Sequence, residues 1–302
     1  MTALELGSPA KPQLLALLRA LRVHQWVKNL LVFVPVLLDH KLLNPPVMVK
    51  ALIAFVAFCC AASGAYVLND LLDRDADRQH RIKRNRPFAA DTLSRFFGVV
   101  LVPLLFAAAL LWSLWLSPKF LALLTLYVVL TTAYSIYLKQ IAVLDVLLLA
   151  GLYTLRVLAG VAASHVRFST WLLAFSMFLF LSLAFLKRYA ELSELQGGAA
   201  EGLARRGYLR GDREWLGSMG GASGYLSVLV LALYINSEEV VALYRNPLLL
   251  WLICPLLLFW ISRMWLLAHR GRIDQDPIVA AVRDPASYAI GALVALILFA
   301  AV

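Results

Sequence analysis

Apolar residues run along this chain in blocks of about twenty, divided by polar breaks, and no block alternates with a period of two. A hydrocarbon layer about 30 Å thick takes roughly 20 apolar residues per helix, and long unalternating blocks do not fit barrel strands. The pattern therefore predicts nine transmembrane helices, at residues 26–43, 48–69, 95–116, 119–138, 143–163, 169–188, 221–240, 247–268 and 285–302. The breaks are unequal. Those at 70–94 and 189–220 are long, that at 269–284 is intermediate, and all three fall on one side, where the chemistry-bearing residues also collect. No Pro/Gly/Ser-rich linker interrupts the series, so the expectation is a single polytopic domain over residues 1–302.

Composition agrees with this reading: 62% of the 302 residues are hydrophobic and 15% charged, a balance outside that of soluble domains. Residues 1–20 lack the pattern of a cleaved signal, which makes the first span the expected targeting element. The net charge of +10 is informative through its placement. Of the 28 Lys and Arg, all but Lys41, Lys50, Lys119, Arg156, Arg167 and Arg245 fall on one side if the N-terminus is cytoplasmic. That asymmetry orients the chain with its long polar loops in the cytoplasm. It also accounts for the basic excess without nucleic acid. Cys59, Cys60 and Cys254 lie inside spans and read as buried thiols, and the five histidines show no metal-ligand spacing.

The stretch NDLLDRDADRQHRIKRNRP, residues 69–87, follows the second span. If the helix continues about two turns past Asn69, then Asp70, Asp73 and Asp77 share one face and Asn69 stacks against Asp73. Like charges gather at a cost unless a cation joins them, and oxygen-only ligands favour Mg²⁺. Lys83, Arg84 and Arg86 nearby suit phosphate oxygens, so the combination reads as a magnesium diphosphate site. The plainer reading is a solvated loop whose acids balance its bases. Asp75 points off the shared face.

LKRYAELSEL, residues 186–195, ends the sixth span. Lys187, Glu191 and Glu194 fall on one helix face, with Arg188 and Tyr189 beside it. A Lys187–Glu191 pair that steadies a helix end is the plain alternative to a phosphate site here. Arg156 lies mid-span, where a charge is usually paired or faces a cavity, and Tyr153 is on the same face. Asp145 either faces a site or ends a loop. Asp276 and Asp284 are further candidate ligands or solvated loop acids. ARRGYLRGD, residues 204–212, reads equally as a hinged cover or a surface loop.

The first acidic stretch resembles the aspartate-rich motif of the UbiA superfamily of intramembrane prenyltransferases, whose nine helices place that motif at the inner end of helix 2. The resemblance implies an all-α, integral membrane, UbiA-type bundle of nine helices with a cytoplasmic-facing polar cavity, in the bacterial cytoplasmic membrane. It also implies Asn69, Asp70, Asp73 and Asp77 as magnesium ligands. At helix 6 the family's second aspartate-rich motif is replaced by LKRYAEL. With HQWVKNLLVFVP (24–35), LDVLLLAGLYTLRVLAG (144–160) and QDPIVAAVRDPASY (275–288), this stretch resembles the superfamily branch that contains decaprenyl-phosphate phosphoribosyltransferases. That branch transfers 5-phosphoribose from phosphoribosyl pyrophosphate to a polyprenyl phosphate, and Lys28, Lys187 and Arg188 are candidates for its phosphates. The alternatives are transfer of an isoprenoid from its diphosphate to an aromatic acceptor and, from another class, transport. The absence of inverted repeats and of paired Gly/Pro-broken spans counts against transport.

Overall fold

The computed structural model describes residues 10–79, 83–167, 169–194, 207–273 and 277–302. Among these the only regular elements are helical. Besides short 3-10 helices at Lys83–Asn85, Leu138–Gln140 and Pro247–Leu252, they are α1 (Ala10–Ala20), a 3-10 stretch Val23–Phe33, α2 (Val34–Leu38), α3 (Pro45–Leu72), α4 (Arg74–Gln79), α5 (Arg95–Ser113), α6 (Pro118–Ile136), α7 (Leu144–Ser164), α8 (Thr170–Glu194), α9 (Asp212–Ile235), α10 (Glu238–Leu243), α11 (Ile253–His269), α12 (Pro277–Arg283) and α13 (Pro285–Ala301). Seven helical stretches among the described residues are long and apolar enough to cross a bilayer. The number rises to nine if two bent pairs, Gln13–Ala20 with Val23–Leu38 and Pro277–Arg283 with Pro285–Ala301, each count as one span.

The expected first span is the one most altered. In place of a continuous α-helix the chain bends by 42° after Ala20, winds as a 3-10 segment from Val23, and becomes α-helical again only at Val34. Arg22, in the left-handed region at φ 50°, makes the corner. The last span also starts afresh at Pro285, where Asp284 caps α13 and α12 departs at 82°. Helix α9 begins at Asp212, nine residues before the expected 221, because Asp212 and Glu214 suit the positive end of a helix as well as they suit a loop.

The contacts divide the chain into two compact units, residues 1–137 with 159–166 and residues 138–158 with 167–302. In the first unit α3 packs along α5 and α6. Asn44, Ser94 and Ser117 cap α3, α5 and α6 by accepting from the N–H of Val47, Phe97 and Phe120, and Pro45 and Pro118 occupy first-turn positions whose N–H has no helical partner. Ala54, Ala57, Ala61 and Gly64 are buried along α3, small residues that let neighbouring helices come close where apolar burial by itself drives nothing. The closest approach is at Gly160: a Cβ there would lie 2.2 Å from the carbonyl oxygen of Val32. Phe58, buried on α3, packs edge-on to Phe120 and Tyr127.

In the second unit α8 and α9 form the most extensive helix pair. Gly220 and Gly224 admit Trp265, Phe185 and Ile261 to the α9 surface, and the Ser182 hydroxyl donates to the Gly220 carbonyl at 2.7 Å. Outward residues such as Phe96, Leu104, Trp115 and Phe299 are exposed in the chain alone. Lipid is their natural neighbour in a multi-pass membrane protein.

Candidate active site

Helix α3 ends at Leu72, so the single helical run expected past Asn69 is interrupted by one residue. The hydrogen bonds carry across the break: Asp73 N–H donates to Asn69 O at 2.9 Å and Asp77 N–H to Asp73 O at 2.8 Å. The i to i+4 relation of 69, 73 and 77 is therefore kept. Asn69 Nδ2 donates to Asp73 Oδ2 at 3.0 Å, the stacking that the spacing predicts.

Asp70 and Asp77 are buried, and one nitrogen serves both. Arg86 Nη1 donates to Asp70 Oδ1 at 3.1 Å and to Asp77 Oδ2 at 2.7 Å. Arg22 Nη2 adds a second bond to Asp70 Oδ1 at 2.6 Å while its guanidinium lies 4.9 Å above the Tyr66 ring. Burial pushes the Asp77 carboxyl above the ordinary aspartate range. The Arg86 charge and hydrogen bond act against this, and the Asp70 charge acts with it. Lys83 adds a smaller attraction from a partly exposed position, and Arg84 and Asp75 are exposed.

Two further arginines shape the loop that presents Arg86. Arg74 Nε and Arg78 Nε donate to the carbonyls of Phe88 and Ala89 at 3.1 Å each, and their Nη2 groups both reach Asp91. Asp91 sits at φ 55°, and the Arg74 hydrogen bond holds its carboxyl below the ordinary range.

Among the described residues no three acidic, histidine or cysteine side chains stand together as a ready-made cation site. The donor set nevertheless fits magnesium. Two buried carboxylates converge on one positively charged nitrogen, the environment an oxygen-ligated hard cation takes, with a third carboxylate, Asp73, one turn away. Arg86 is the stand-in charge, and its side chain is 25% exposed.

The other cluster belongs to the second unit. Helix α8 continues past residue 188 to Glu194, so Lys187, Arg188, Tyr189 and Glu191 are all helical, as their spacing predicts. Arg188 is fully buried. Its Nε donates to Asp145, equally buried on the first turn of α7, and its Nη1 to Glu191. Tyr208 completes the arrangement: its hydroxyl donates to Asp145 Oδ1 at 2.6 Å and accepts from the Val143 N–H at 2.8 Å. Burial and the Asp145 carboxylate both push the Tyr208 phenol well above its ordinary value. The sequence offers Arg188 to a phosphate; the structure gives its guanidinium two carboxylates and no exposure. Lys187 is half-buried on the same turn.

Tyr189 is buried, with its hydroxyl 2.8 Å from Arg213 Nη2 and 3.0 Å from His269 Nδ1. The Arg213 guanidinium also lies over its ring at 4.7 Å, and Trp265 meets it edge-on. Arg156 is buried, donates to Leu152 O at 2.6 Å and lies 5.4 Å from the centre of the Tyr153 ring, so these two are in contact. Lys28 is buried in the 3-10 segment of the first unit. Asp284 is a cap and ion-pair partner. Asp276, residues 195–206 and the side chain of Glu194 lie outside the described residues.

Arg22, Asp145, Tyr208, Arg213 and His269 are the members that sequence reasoning passed over or left undecided. Arg22 was visible only as topological charge. Tyr208 had one signal, a lone aromatic in a charged loop.

A family model, the UbiA prenyltransferase family, matches residues 31–283. Three curated relatives are similar. The protein y4nM of Sinorhizobium fredii is 38% identical over 92% of this chain, and nodulation protein NoeC of Azorhizobium caulinodans is 37% identical over 92%. Decaprenyl-phosphate phosphoribosyltransferase of Mycolicibacterium smegmatis is 37% identical over 62%. The alignments span 54%, 90% and 60% of those proteins respectively. Among solved structures, a UbiA homologue from Archaeoglobus fulgidus bound to GPP and Mg²⁺ matches with a TM-score of 0.68 at 17% identity, covering 94% of this chain and 96% of that one.

Proposed function

The chain belongs to the UbiA prenyltransferase family, and we propose that within it this protein transfers 5-phosphoribose from phosphoribosyl pyrophosphate to a long-chain polyprenyl phosphate, releasing diphosphate. The observation that carries the proposal is the make-up of the α8 terminus. Where the family resemblance leads one to expect a second aspartate cluster for a metal-bound prenyl diphosphate, the helix carries Lys187, Arg188 and Tyr189, with its one described acid, Glu191, engaged by Arg188. Similarity to the mycobacterial enzyme supports the same reading, over part of each chain.

In this scheme Asn69, Asp70, Asp73 and Asp77 hold magnesium, which when bound neutralises charge on the diphosphate and eases its departure. Arg86 and Lys83 turn toward the diphosphate oxygens, with Arg84 at the solvent edge. An oxygen of the lipid phosphate forms a bond to C1 of the ribose as the C1–O bond to diphosphate breaks, and the leaving group keeps the electron pair. The attacking phosphate is already ionised, so no side chain has to remove a proton. Its charge, and that of the sugar 5-phosphate, call for cations, and Lys28 and Lys187 are the candidates. Arg188, fixed by Asp145 and Glu191, positions Lys187 and Tyr189; it does not reach substrate itself. Arg156 with Tyr153, and Tyr189 with Arg213, add positive charge bounded by aromatic rings.

The rival reading is transfer of an isoprenoid from its diphosphate to an aromatic acceptor, to which the same first cluster is suited. Purified protein with Mg²⁺ is given either phosphoribosyl pyrophosphate and decaprenyl phosphate, or geranyl diphosphate and 4-hydroxybenzoate, and the lipid product is identified by mass spectrometry. Phosphoribosyl lipid from the first pair is expected. Product and diphosphate from the second pair alone would reverse the assignment.

A further inference from the structure

The C-terminal half of α11, helix α12 and the start of α13 enclose a cavity of about 340 Å³ that the proposed chemistry does not use. Arg263, Arg272 and Arg283 line it with one acid, Asp284, and Met264 and Leu267 form an apolar wall. Asp284 is already engaged. It accepts from Arg263 Nε at 3.3 Å and Nη2 at 2.9 Å, and from the Ser287 N–H at 3.2 Å at the start of α13. One positive charge is thereby answered. Arg272 and Arg283, both exposed, bring two more, and among the described residues no carboxylate pairs with either.

Forked guanidinium donors match the oxygens of a phosphate group in a way that single ammonium groups do not. The position of the cavity selects among phosphate sources. Helix α12 turns 82° from α13, so if α13 crosses the bilayer, α12 lies close to the membrane plane and holds Arg283 at headgroup depth. Leu266, Val282 and Tyr288 are exposed beside it, a surface for acyl chains rather than for water. Basic pockets between membrane helices are where anionic headgroups are held.

We propose that this cavity binds the phosphate headgroup of an anionic membrane phospholipid, with Arg272 and Arg283 on the phosphate and Met264 and Leu267 against its glycerol and upper acyl carbons. Free phosphate offers the same anion but nothing to set against the apolar wall, so it should compete poorly. The proposal does not depend on which donor and acceptor the enzyme uses.

The test is native mass spectrometry of the full chain in detergent, with dioleoylphosphatidylglycerol or dioleoylphosphatidylcholine added at equal mole ratio. Wild type should retain one phosphatidylglycerol in preference to phosphatidylcholine by roughly tenfold, because both carry the phosphate but choline sets a positive charge against Arg272 and Arg283. Arg272→Ala with Arg283→Ala should abolish that preference, Arg272→Lys with Arg283→Lys should restore part of it, and millimolar inorganic phosphate should leave it unchanged. Equal retention by wild type and the alanine variant would overturn the proposal. So would displacement by inorganic phosphate, which would give the cavity to a soluble anion. If the alanine pair does not fold, the lysine pair alone decides: preference undiminished from wild type would mean that the guanidinium forks do not hold the lipid.

Discussion

Asp73, in the first unit, and Arg188, in the second, show how differently two charged candidate residues are held. Asp73 accepts from a neutral amide, Asn69, and is half-buried. Asp73→Asn preserves that contact while removing the charge. Turnover should fall by at least about a hundredfold, the loss expected when a charge-stabilising group is removed, with the thermal midpoint in detergent unchanged. Turnover near wild type would take Asp73 out of the site. Arg188, by contrast, is the only cation among the described residues that the structure places against Asp145. Arg188→Ala leaves that buried carboxylate with Tyr208 and no positive charge, a defect of about 3–5 kcal/mol. It should appear as loss of the folded, monodisperse species before any assay is run. A variant as stable as wild type would mean that the pair is not structural.

At the scale of elements, the loop after α4 is held by contacts between distant positions rather than by a helix of its own. Arg74 and Arg78, one turn apart on α4, both close on Asp91 and on carbonyls of the 88–89 turn. Because the Arg74 hydrogen bond lowers the Asp91 carboxyl below its ordinary value, the clamp contributes fully above the unfolded value, near 3.8. It is lost as pH falls through the lower, folded value. Acidification should therefore raise hydrogen exchange, taken relative to the intrinsic rate at the same pH, at the amides of Ala90, Thr92 and Leu93, which bond within this turn, and Asp91→Asn should show the lowered protection already at neutral pH. Exchange that is independent of both would assign the turn's order to its backbone bonds alone. The same loop shows why element boundaries were only partly legible. The spacing of 69, 73 and 77 told correctly which side chains align, but the break at Asp73 left no mark in the residue pattern.

At the scale of the whole molecule, orientation follows from charge. Excess Lys and Arg stay on the cytoplasmic side during insertion, which predicts that Asp75 and Ser117, both in the first unit, face opposite sides. In intact cells of a variant cleared of native cysteines, an impermeant maleimide should label cysteine at position 117 and leave position 75 unlabelled until the membrane is opened. The reverse pattern would invert the topology and move the proposed reaction to the other face. The two broken spans belong to this scale as well. Hydropathy counted nine segments because it averages over about twenty residues, and a 42° or 82° bend leaves that average untouched.

The sequence by itself determined where the chain turns apolar, in which breaks its charge collects, and the i to i+4 relation of Asn69, Asp73 and Asp77 at the end of α3, because these depend on neighbours within a few turns. Tertiary structure alone decided which charge answers which. Arg22 reaches Asp70 across 48 positions, Arg188 reaches Asp145 across 43, and Tyr208 reaches the same carboxylate across 63. Such pairs form because a charge removed from water must find its opposite within hydrogen-bond reach, and only the packing of helices settles what lies that close.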